Sequence, residues 1–429
     1  MKLRTFLFWT HLTAGLVAGI VILIMSVTGT LLTFQQSVLK VIERSQRFVE
    51  VPAGAGRLEV DVLLARVRQA VPDAEPTTVT LYSDPRVSAS VALGPRGTVF
   101  VNPYTGDVLG SGSARARAFY RSVTSWHRYL SVEGEHRATA RAVTGACNAA
   151  FLVLAISGIY LWWPRQLTRR HLSAVTLFRA GLRGKARDFN WHNVIGFWCA
   201  PILVVLTASG MVISYTWASN LVYTLTGSPR PATAAGRGGG PGAEAGGRGG
   251  DRGRGSEPVR NESRTEARGE LGGGRSAGGH SARAAGNSPA ATLESLVARA
   301  ERQVPAWHTM ILRLPPRPGG PVAISMSDRG HWNSHARSTL TLDGGTGADV
   351  RWEPYAATSL GQKARGWLRF AHTGELGGLA GEAFAGAASA GGGFLVWTGV
   401  ALALRRLSAW RARRQAASTN YETETARVA

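Results

Sequence analysis

The sequence has few cysteines, a shortage of acidic residues and no nucleotide-binding motif. Its 429 residues include two cysteines, too few for the disulfide framework of a small secreted protein. Both of them, Cys147 and Cys199, fall within apolar runs, where a packing role is expected. Neither a G-x-G-x-x-G sequence nor a P-loop occurs. The sequence therefore gives no sign of a domain that binds a dinucleotide or a nucleoside triphosphate.

Basic residues outnumber acidic ones by 49 to 27, which gives a formal net charge of +22. Much of this excess lies in the short flanks of the apolar stretches and in residues 227–290, which are rich in Gly, Arg, Ser and Ala and have no apolar periodicity. That composition predicts a disordered linker. Its Arg-Gly clusters are similar to RNA-binding segments, but the topology derived below places them outside the cytoplasm. We therefore expect no nucleic-acid partner.

Four stretches contain no Asp, Glu, Lys or Arg: residues 5–39, 142–164, 189–229 and 383–404. Each can supply the ~20 apolar residues that a transmembrane helix needs. The first run is longer than the ~7–15-residue core of a cleaved signal peptide and lacks an Ala-x-Ala cleavage site. A retained helix is therefore favoured. The sequence predicts an α-helical membrane protein with four transmembrane helices, embedded in the lipid of a bacterial inner membrane.

The basic flanks of these stretches predict their orientation. Lys2 and Arg4 precede the first, seven Lys and Arg residues lie between Arg165 and Arg187, and Arg405–Arg414 follows the last. Cytoplasmic loops carry an excess of Lys and Arg. Both termini are therefore expected in the cytoplasm, and the soluble regions between the first and second spans and between the third and fourth spans are expected in the periplasm.

Two soluble regions show the same order of patterns, a helical periodicity followed by short strand-like runs. In the first, Leu58–Val71 precedes strands near 77–82, 88–93 and 98–102 and a Pro103-Tyr104-Thr105-Gly106 turn. In the second, a helix through Leu293 and Ala300 precedes strands near 308–314, 322–327 and 338–342. The second unit closes with Asp343-Gly344-Gly345-Thr346-Gly347 instead of Pro-Tyr-Thr-Gly. Two small periplasmic α+β domains are expected.

Together these patterns divide the chain into a duplicated arrangement of two plus two spans. The predicted segments are 1–34 (tail and first span), 35–120 (soluble domain), 121–164 (histidine segment and second span), 165–188 (basic loop), 189–226 (third span), 227–290 (linker), 291–357 (second soluble domain), 358–404 (histidine segment and fourth span) and 405–429 (tail).

Four histidines stand at matched positions of this duplication. His11 and His192 open the first and third spans, and each is followed 18 residues later by a glycine, Gly29 or Gly210. Eighteen residues make about five helical turns, so each histidine shares a face with its glycine. His127 and His372 precede the second and fourth spans. Imidazole ligates haem iron and many transition metals, and helix bundles commonly build such sites.

Other interpretations of single residues stay open. A lone histidine at this depth is more often an interfacial side chain than a ligand, and His136 competes with His127 because it lies closer to the second span. Arg137 and Arg141 could bind haem propionates or lipid headgroups. His331 and His335 could bind a metal if they were helical, but Gly330 and Asn333 favour a loop.

These residues resemble the PepSY-associated transmembrane helix (PepSY-TM) family over nearly the whole chain except residues 227–290. The motifs that carry the resemblance are Thr10-His11-Leu12, Thr28-Gly29, Pro103-Tyr104-Thr105-Gly106, Trp126-His127-Arg128, Gly158–Pro164, Trp191–Gly196 and Ala371-His372-Thr373-Gly374. The resemblance implies PepSY-like soluble domains and an association with bacterial iron uptake. Some members are di-haem inner-membrane reductases of ferric siderophores.

The resemblance and the histidine pattern together lead to one expected function. It is a haem-b oxidoreductase, with two haems held by His11, His192, His127 and His372, that reduces a periplasmic ferric siderophore or other ferric chelate. Since no nucleotide motif is present, the electron donor is expected to be a quinol or a partner protein. The alternative is a non-catalytic protein whose spans anchor PepSY-like domains that bind peptides or peptidases.

Overall fold

The computed structural model describes residues 3–163, 168–230, 291–329 and 335–428. These residues form two compact units that alternate along the chain. A helical unit contains residues 3–48, 112–230 and 354–428, apart from the gap at 164–167, and a sheet unit contains residues 49–111, 291–329 and 335–353. The predicted linker lies outside the described residues apart from 227–230.

The helices are α1 (Leu3–Thr33), α2 (Gln35–Ile42), α3 (Arg44–Arg47), α4 (Val60–Ala70), α5 (Ala114–Tyr129), α6 (Arg137–Trp162), α7 (Arg169–Thr176), α8 (Gly184–Ser214), α9 (Thr216–Leu225), α10 (Leu293–Gln303), α11 (Leu360–Thr373) and α12 (Gly378–Val428).

Four helices in the described part of the chain are long and apolar enough to cross a membrane. The candidate spans are Leu3–Thr33, Gly134–Trp162, Gly184–Ser214 and Gly378–Ala416. On α1, Val17 and Ile20 are 81% and 74% exposed, whereas Ala18 and Ile22 are buried. Apolar side chains that face outward on this scale mark a surface that contacts membrane. The chain is a multi-pass membrane protein, as the sequence predicts.

The four spans form a ring in which each helix contacts two neighbours. α1 packs against α6 and α12, and α8 packs against the same two helices. α1 and α8 therefore lie diagonally across the bundle. Glycines line these contacts: Gly15 faces Leu154, Gly19 faces Val396 and Gly196 faces Leu395 at 3.5–3.8 Å from an added Cβ. Small residues allow membrane helices to approach closely.

Two short helices, α5 and α11, carry His127 and His372 against one end of the bundle. α5 packs on α1, and α11 packs on α8. α5 is separate from α6 because Leu130 and Ser131 adopt positive φ angles of 51° and 59°. Gly134, whose φ is 64°, follows in the same connection. Gly374, with φ of 78°, ends α11 in the left-handed conformation that favours glycine.

The boundaries of three predicted spans differ in the structure. The third, predicted at 189–226, is divided between α8, which begins at Gly184, and α9, which begins at Thr216. α6 begins at Arg137 and not at Ala142, because Arg137 and Arg141 extend the helix beyond the apolar run. α12 continues to Val428, whereas the predicted span ended at Leu404 and was followed by a separate tail. The apolar run ends there but the helix does not, since the following residues are largely Ala, Arg and Glu, which are strong helix formers.

The sheet unit is a single antiparallel sheet with strand order β4-β3-β2-β1-β5-β6-β7-β8. The two predicted α+β domains are thus two halves of one sheet, joined where β1 pairs with β5. An unpaired edge strand is a template for further pairing, and this junction removes one edge from each half. The strands are β1 (Thr78–Tyr82), β2 (Ala89–Ala92), β3 (Thr98–Val101), β4 (Val108–Gly110), β5 (Trp307–Arg313), β6 (Val322–Asp328), β7 (Arg337–Leu342) and β8 (Asp349–Glu353). The sequence analysis missed β4 and β8, the short strands that follow the predicted turns.

One core and one pair of helices unite the halves. Apolar side chains from α4, α10 and both halves of the sheet form one buried cluster. The two helices also cap each other. The Val60 N–H donates to Glu294 Oε2 at 3.0 Å, and the Glu294 N–H donates to Asp61 Oδ2 at 3.1 Å. These carboxylates satisfy backbone donors that the first turn of a helix leaves without partners.

Candidate functional site

The structure brings His11 and His192 together across the diagonal of the bundle. His11 lies in α1 and His192 in α8, near the ends where both helices begin. Their ring centroids are 6.5 Å apart, and the ring planes are inclined by 82°. The two rings therefore lie close together.

A second pair, His127 and His372, lies at the opposite end of the bundle. His127 comes from α5 and His372 from α11, and their ring centroids are 6.3 Å apart with an interplanar angle of 56°. Gly29, against which His127 packs, lies 18 residues beyond His11 on α1. At 1.5 Å per residue, this spacing separates the two pairs by about 27 Å along the helix.

Each histidine is supported by a Ser-Gly or Thr-Gly dipeptide on another helix. The hydroxyl oxygen of the dipeptide lies within hydrogen-bonding distance of Nδ1, and the glycine faces Cε1. The four combinations are His11 with Ser157-Gly158, His127 with Thr28-Gly29, His192 with Thr398-Gly399 and His372 with Ser209-Gly210. The Nδ1-to-oxygen distances are 2.9, 2.9, 2.9 and 3.3 Å, respectively.

The hydroxyl groups determine which imidazole nitrogen carries the proton. A hydroxyl has one hydrogen to donate. Ser157 Oγ donates it to the Val153 carbonyl at 2.6 Å, and Thr28 Oγ1 donates it to the Ile24 carbonyl at 2.6 Å. The same bond within the helix occurs at the other two dipeptides. Each hydroxyl can therefore only accept from its histidine, so Nδ1 carries the hydrogen.

A second contact of His372 requires the same tautomer, with the hydrogen on Nδ1. Its Nδ1 lies 2.8 Å from the Leu206 carbonyl oxygen, which is an acceptor only. All four imidazoles therefore present Nε2 as an unprotonated nitrogen. A hydrogen bond from Nδ1–H to a fixed acceptor is the usual way in which a protein orients a histidine that binds a metal.

The four glycines leave room for the imidazole rings. A Cβ added at Gly210 or Gly29 would lie 3.2 or 3.3 Å from the Cε1 of the facing histidine. At Gly158 and Gly399 the corresponding distances are 3.5 and 3.6 Å. The glycines opposite His127 and His372 are therefore the more tightly packed ones, and a side chain there would displace the ring.

The separation of each histidine pair can be compared with the separation needed to bind the haem that the sequence predicts. An imidazole nitrogen binds a metal at about 2.0–2.1 Å, so two rings that bind one ion through Nε2 from opposite sides have centroids about 6 Å apart. Both observed separations fit this value. Within the described residues, no group of three or more His, Cys, Asp or Glu side chains could hold a metal ion. Two imidazoles alone suit a metal whose other positions are already filled, as in a haem with two axial histidines.

Burial favours the neutral imidazole at the pair outside the spans. Burial lowers the pKa of His127 to about 4, with a smaller contribution from His372, although a hydrogen bond to the Met25 backbone opposes the shift. Burial also lowers the pKa of His372. Neutral imidazole is the form that binds metals.

The other residues that the sequence offered as possible haem contacts lie elsewhere in the structure. His136 is exposed in the turn before α6, and it is His127 that faces His372. The Arg137 guanidinium lies 4.1 Å from the centroid of the Tyr129 ring. Arg141 donates to the Ser214 carbonyl at 3.0 Å. His331, one member of the candidate metal-binding pair His331 and His335, lies outside the described residues.

The supporting hydroxyls were missed by the sequence analysis. The sequence pattern placed His11 with Gly29, and His192 with Gly210, on one face of the same helix, but each of these glycines receives a histidine from another helix. The signal that could have revealed this is the dipeptide itself, which recurs as Thr28-Gly29, Ser157-Gly158, Ser209-Gly210 and Thr398-Gly399.

Comparison with known proteins identifies one family. The family model described as the PepSY-associated TM region matches residues 8–406, nearly the whole chain. No curated protein matches the sequence.

Proposed function

Because the chain belongs to the PepSY-associated TM region family, we propose that it is a haem-b membrane oxidoreductase that delivers electrons to a ferric siderophore or other ferric chelate. The observation that carries the proposal is the pair of histidine pairs at opposite ends of one bundle. His11 and His192 would hold one haem, and His127 and His372 a second one. Haem supplies reversible one-electron chemistry, whereas the protein determines its position and environment.

The chain's own residues contribute orientation and shielding from water. The four hydroxyls hold each Nδ1–H, which leaves Nε2 available as a metal-binding nitrogen. Between the pairs, Ala155, Leu203, Leu206, Ala385 and Ala388 form a buried apolar cluster. This cluster excludes water from the centre of the bundle, and dry surroundings strengthen the electrostatic interactions of any charge placed there.

The direction of electron flow follows from the basic residues. The end of the bundle at His11 and His192 carries Arg4, Arg187, Arg405 and Arg406, so the positive-inside rule assigns it to the cytoplasm. Electrons from a quinol or a partner protein would enter at this end and leave at the His127–His372 end. One quinol yields two electrons and two protons, so each oxidised quinol would reduce two ferric ions.

The experiment begins with the colour of the purified protein. A reduced-minus-oxidised spectrum of low-spin haem b, with about two haems per chain from four histidine ligands, is the expected result. A folded protein that binds no haem would contradict the proposal. It would favour the alternative in which the spans anchor domains that bind peptides or peptidases.

The site of iron reduction is tested in right-side-out vesicles with a membrane-impermeant ferric chelate. His372→Ala should stop reduction of the chelate, while the donor still reduces the remaining haem, because His11 and His192 are unchanged. Reduction that continues in this variant, with the second haem verified as missing, would contradict the proposed route.

A further inference from the structure

A pocket opens in the sheet unit where the two halves of the sheet meet. It is lined by Asp84, Pro85, Arg86, His308 and Arg329 and has a volume of ≈ 490 Å³. The first three residues follow β1, His308 lies in β5 and Arg329 follows β6. Cavities of about 300–1,000 Å³ are typical of small-molecule sites. The junction of the halves thus creates a pocket that neither half contains alone.

The charged groups of the pocket are two guanidinium groups and one carboxylate. Arg86 approaches Asp84 only loosely, with Nε–Oδ1 and Nη2–Oδ2 distances of 3.4 and 3.5 Å, and its side chain is 72% exposed. Arg329 Nη2 donates to Ser83 Oγ at 2.6 Å. The Arg86 backbone N–H, and then its side chain, lower the pKa of Asp84, so this carboxyl is ionised at neutral pH. The lining keeps a net positive charge.

The backbone around the pocket is fixed by contacts that lie outside its lining. Arg57 donates to the Tyr82 carbonyl at 2.5 Å and to the Asp84 carbonyl at 2.7 Å. The Ser83 N–H donates to the His308 carbonyl at 3.0 Å and extends the pairing of β1 with β5. The position of Asp84 and Arg86 is therefore set before any ligand binds.

A β-bulge places His308 at the pocket. The register between β5 and β6 shifts between Trp307 and Thr309, so His308 is the extra residue. Bulges redirect a side chain and are frequent beside functional sites. His308 is exposed and adds an imidazole, which can donate or accept a hydrogen bond, to a lining dominated by guanidinium donors.

We propose that this pocket binds a small oxyanion, a ligand that carries carboxylate or phosphate groups. The planar guanidinium presents paired N–H donors that match two oxygens of either group. The proposal goes beyond the proposed function and does not depend on haem, since every group that it invokes lies in the sheet unit.

The test measures binding of citrate and of inorganic phosphate to the purified full-length protein by isothermal titration calorimetry. Arg86→Gln and Arg329→Gln should each weaken binding about tenfold, the size expected for the loss of a hydrogen bond to a charged group. Asp84→Asn should strengthen it, because this change removes the only carboxylate of the lining. Arg351→Gln is the matched control, since Arg351 is also exposed and pairs with an acid, Glu353, at 2.9 Å on β8.

Each outcome decides one question. Stronger binding of citrate would identify a carboxylate-bearing ligand, and stronger binding of phosphate a phosphorylated one. The absence of saturable binding of both anions, or equal affinities in the wild type and the two arginine variants, would overturn the proposal. Because the haem spectrum is recorded on the same samples, failure of this site and failure of the reductase proposal are distinguished.

Discussion

At the His11–His192 pair both imidazoles project from helices that cross the membrane, whereas at the His127–His372 pair both project from short helices that pack on the bundle. His127 lies two residues before the end of α5, and His372 one residue before the end of α11. The first pair is therefore positioned by the bundle itself. The second depends in addition on how firmly α5 and α11 are docked.

Each end of the bundle has a buried carboxylate that fastens its elements. Asp188 pairs with Arg187 and with Arg405 at 3.0 Å each, which joins α8 to α12. Glu43 pairs with Arg117 at 2.6 Å and with Arg47 at 2.9 Å, which fastens α5 to the segment after α1. The same chemistry thus joins two spans at one end and attaches a histidine-bearing helix at the other. We expect the His127–His372 pair to be the more easily perturbed one.

The largest effect is expected from removal of the histidines themselves. His11→Ala and His192→Ala should each remove the same haem signal, because both side chains belong to one pair, and should lower the haem content by about half. The measurement is the haem-to-protein ratio together with the redox titration of the remaining signal. His136→Ala is the control and should leave both signals unchanged. Loss of different signals from His11→Ala and His192→Ala would contradict the pairing.

Removal of a supporting hydroxyl should have a smaller effect on metal affinity, and the size of this effect should differ between the two histidine pairs. Ser157→Ala removes the hydroxyl that accepts from His11 Nδ1–H, and loss of such a partner typically weakens metal affinity by about 10–100-fold. Ser209→Ala should cost less, because His372 retains the Leu206 carbonyl at 2.8 Å. Haem retention during titration with a competing haem-binding protein measures both variants. Equal losses would show that the carbonyl does not substitute for the hydroxyl.

The glycines provide a matched pair with a still smaller effect. Gly29→Ala places a Cβ 3.3 Å from His127 Cε1, whereas Gly399→Ala places one 3.6 Å from His192 Cε1. The tighter contact should displace His127 and weaken haem retention about fivefold, within the range for overpacked sites. The second substitution should have little effect, because 3.6 Å is an ordinary contact. A larger loss in Gly399→Ala than in Gly29→Ala would reverse the expected order.

The smallest effect concerns pH and the attachment of α5. Burial raises the pKa of Glu43, but Arg117, the Ser113 N–H and Arg47 outweigh it, so the pKa lies below the ordinary 4.5. A carboxyl with a lowered pKa stabilises the folded state fully above its unfolded pKa, and this contribution is lost as the pH falls towards the folded pKa. The protection factors of the α5 amides, which correct the exchange rates for their intrinsic pH dependence, should therefore fall below about pH 4.5.

Glu43→Gln provides the control for this pH dependence. The α5 amides of this variant should already be several-fold less protected at pH 7, because the ion pair between Glu43 and Arg117 is lost, and their protection should change less between pH 7 and pH 4. Equal pH dependence in the two proteins would assign the acid effect to another group.

The sequence was sufficient for the features that depend on long patterns. Uncharged runs fixed the four spans because lipid tolerates few charged side chains, and matched spacing singled out His11, His192, His127 and His372. It could not reveal the single sheet, since the pairing of β1 with β5 joins segments more than 200 residues apart. It also missed the hydroxyl partners, because a hydrogen bond between helices leaves no periodicity in either one.

The contacts that support each histidine lie within one half of the chain, whereas the histidine pairs are formed between the two halves. Every supporting hydroxyl comes from the same half as its histidine, as Ser157 does for His11. Each histidine pair, in contrast, contains one histidine from each half. In the sheet, antiparallel β1 and β5 meet in the same reciprocal manner. These are the relations of an isologous homodimer, in which one surface is complementary to itself. Each unit, taken by itself, is thus arranged as a two-fold dimer whose subunits are covalently fused, and fusion allows each half to diverge without losing its partner.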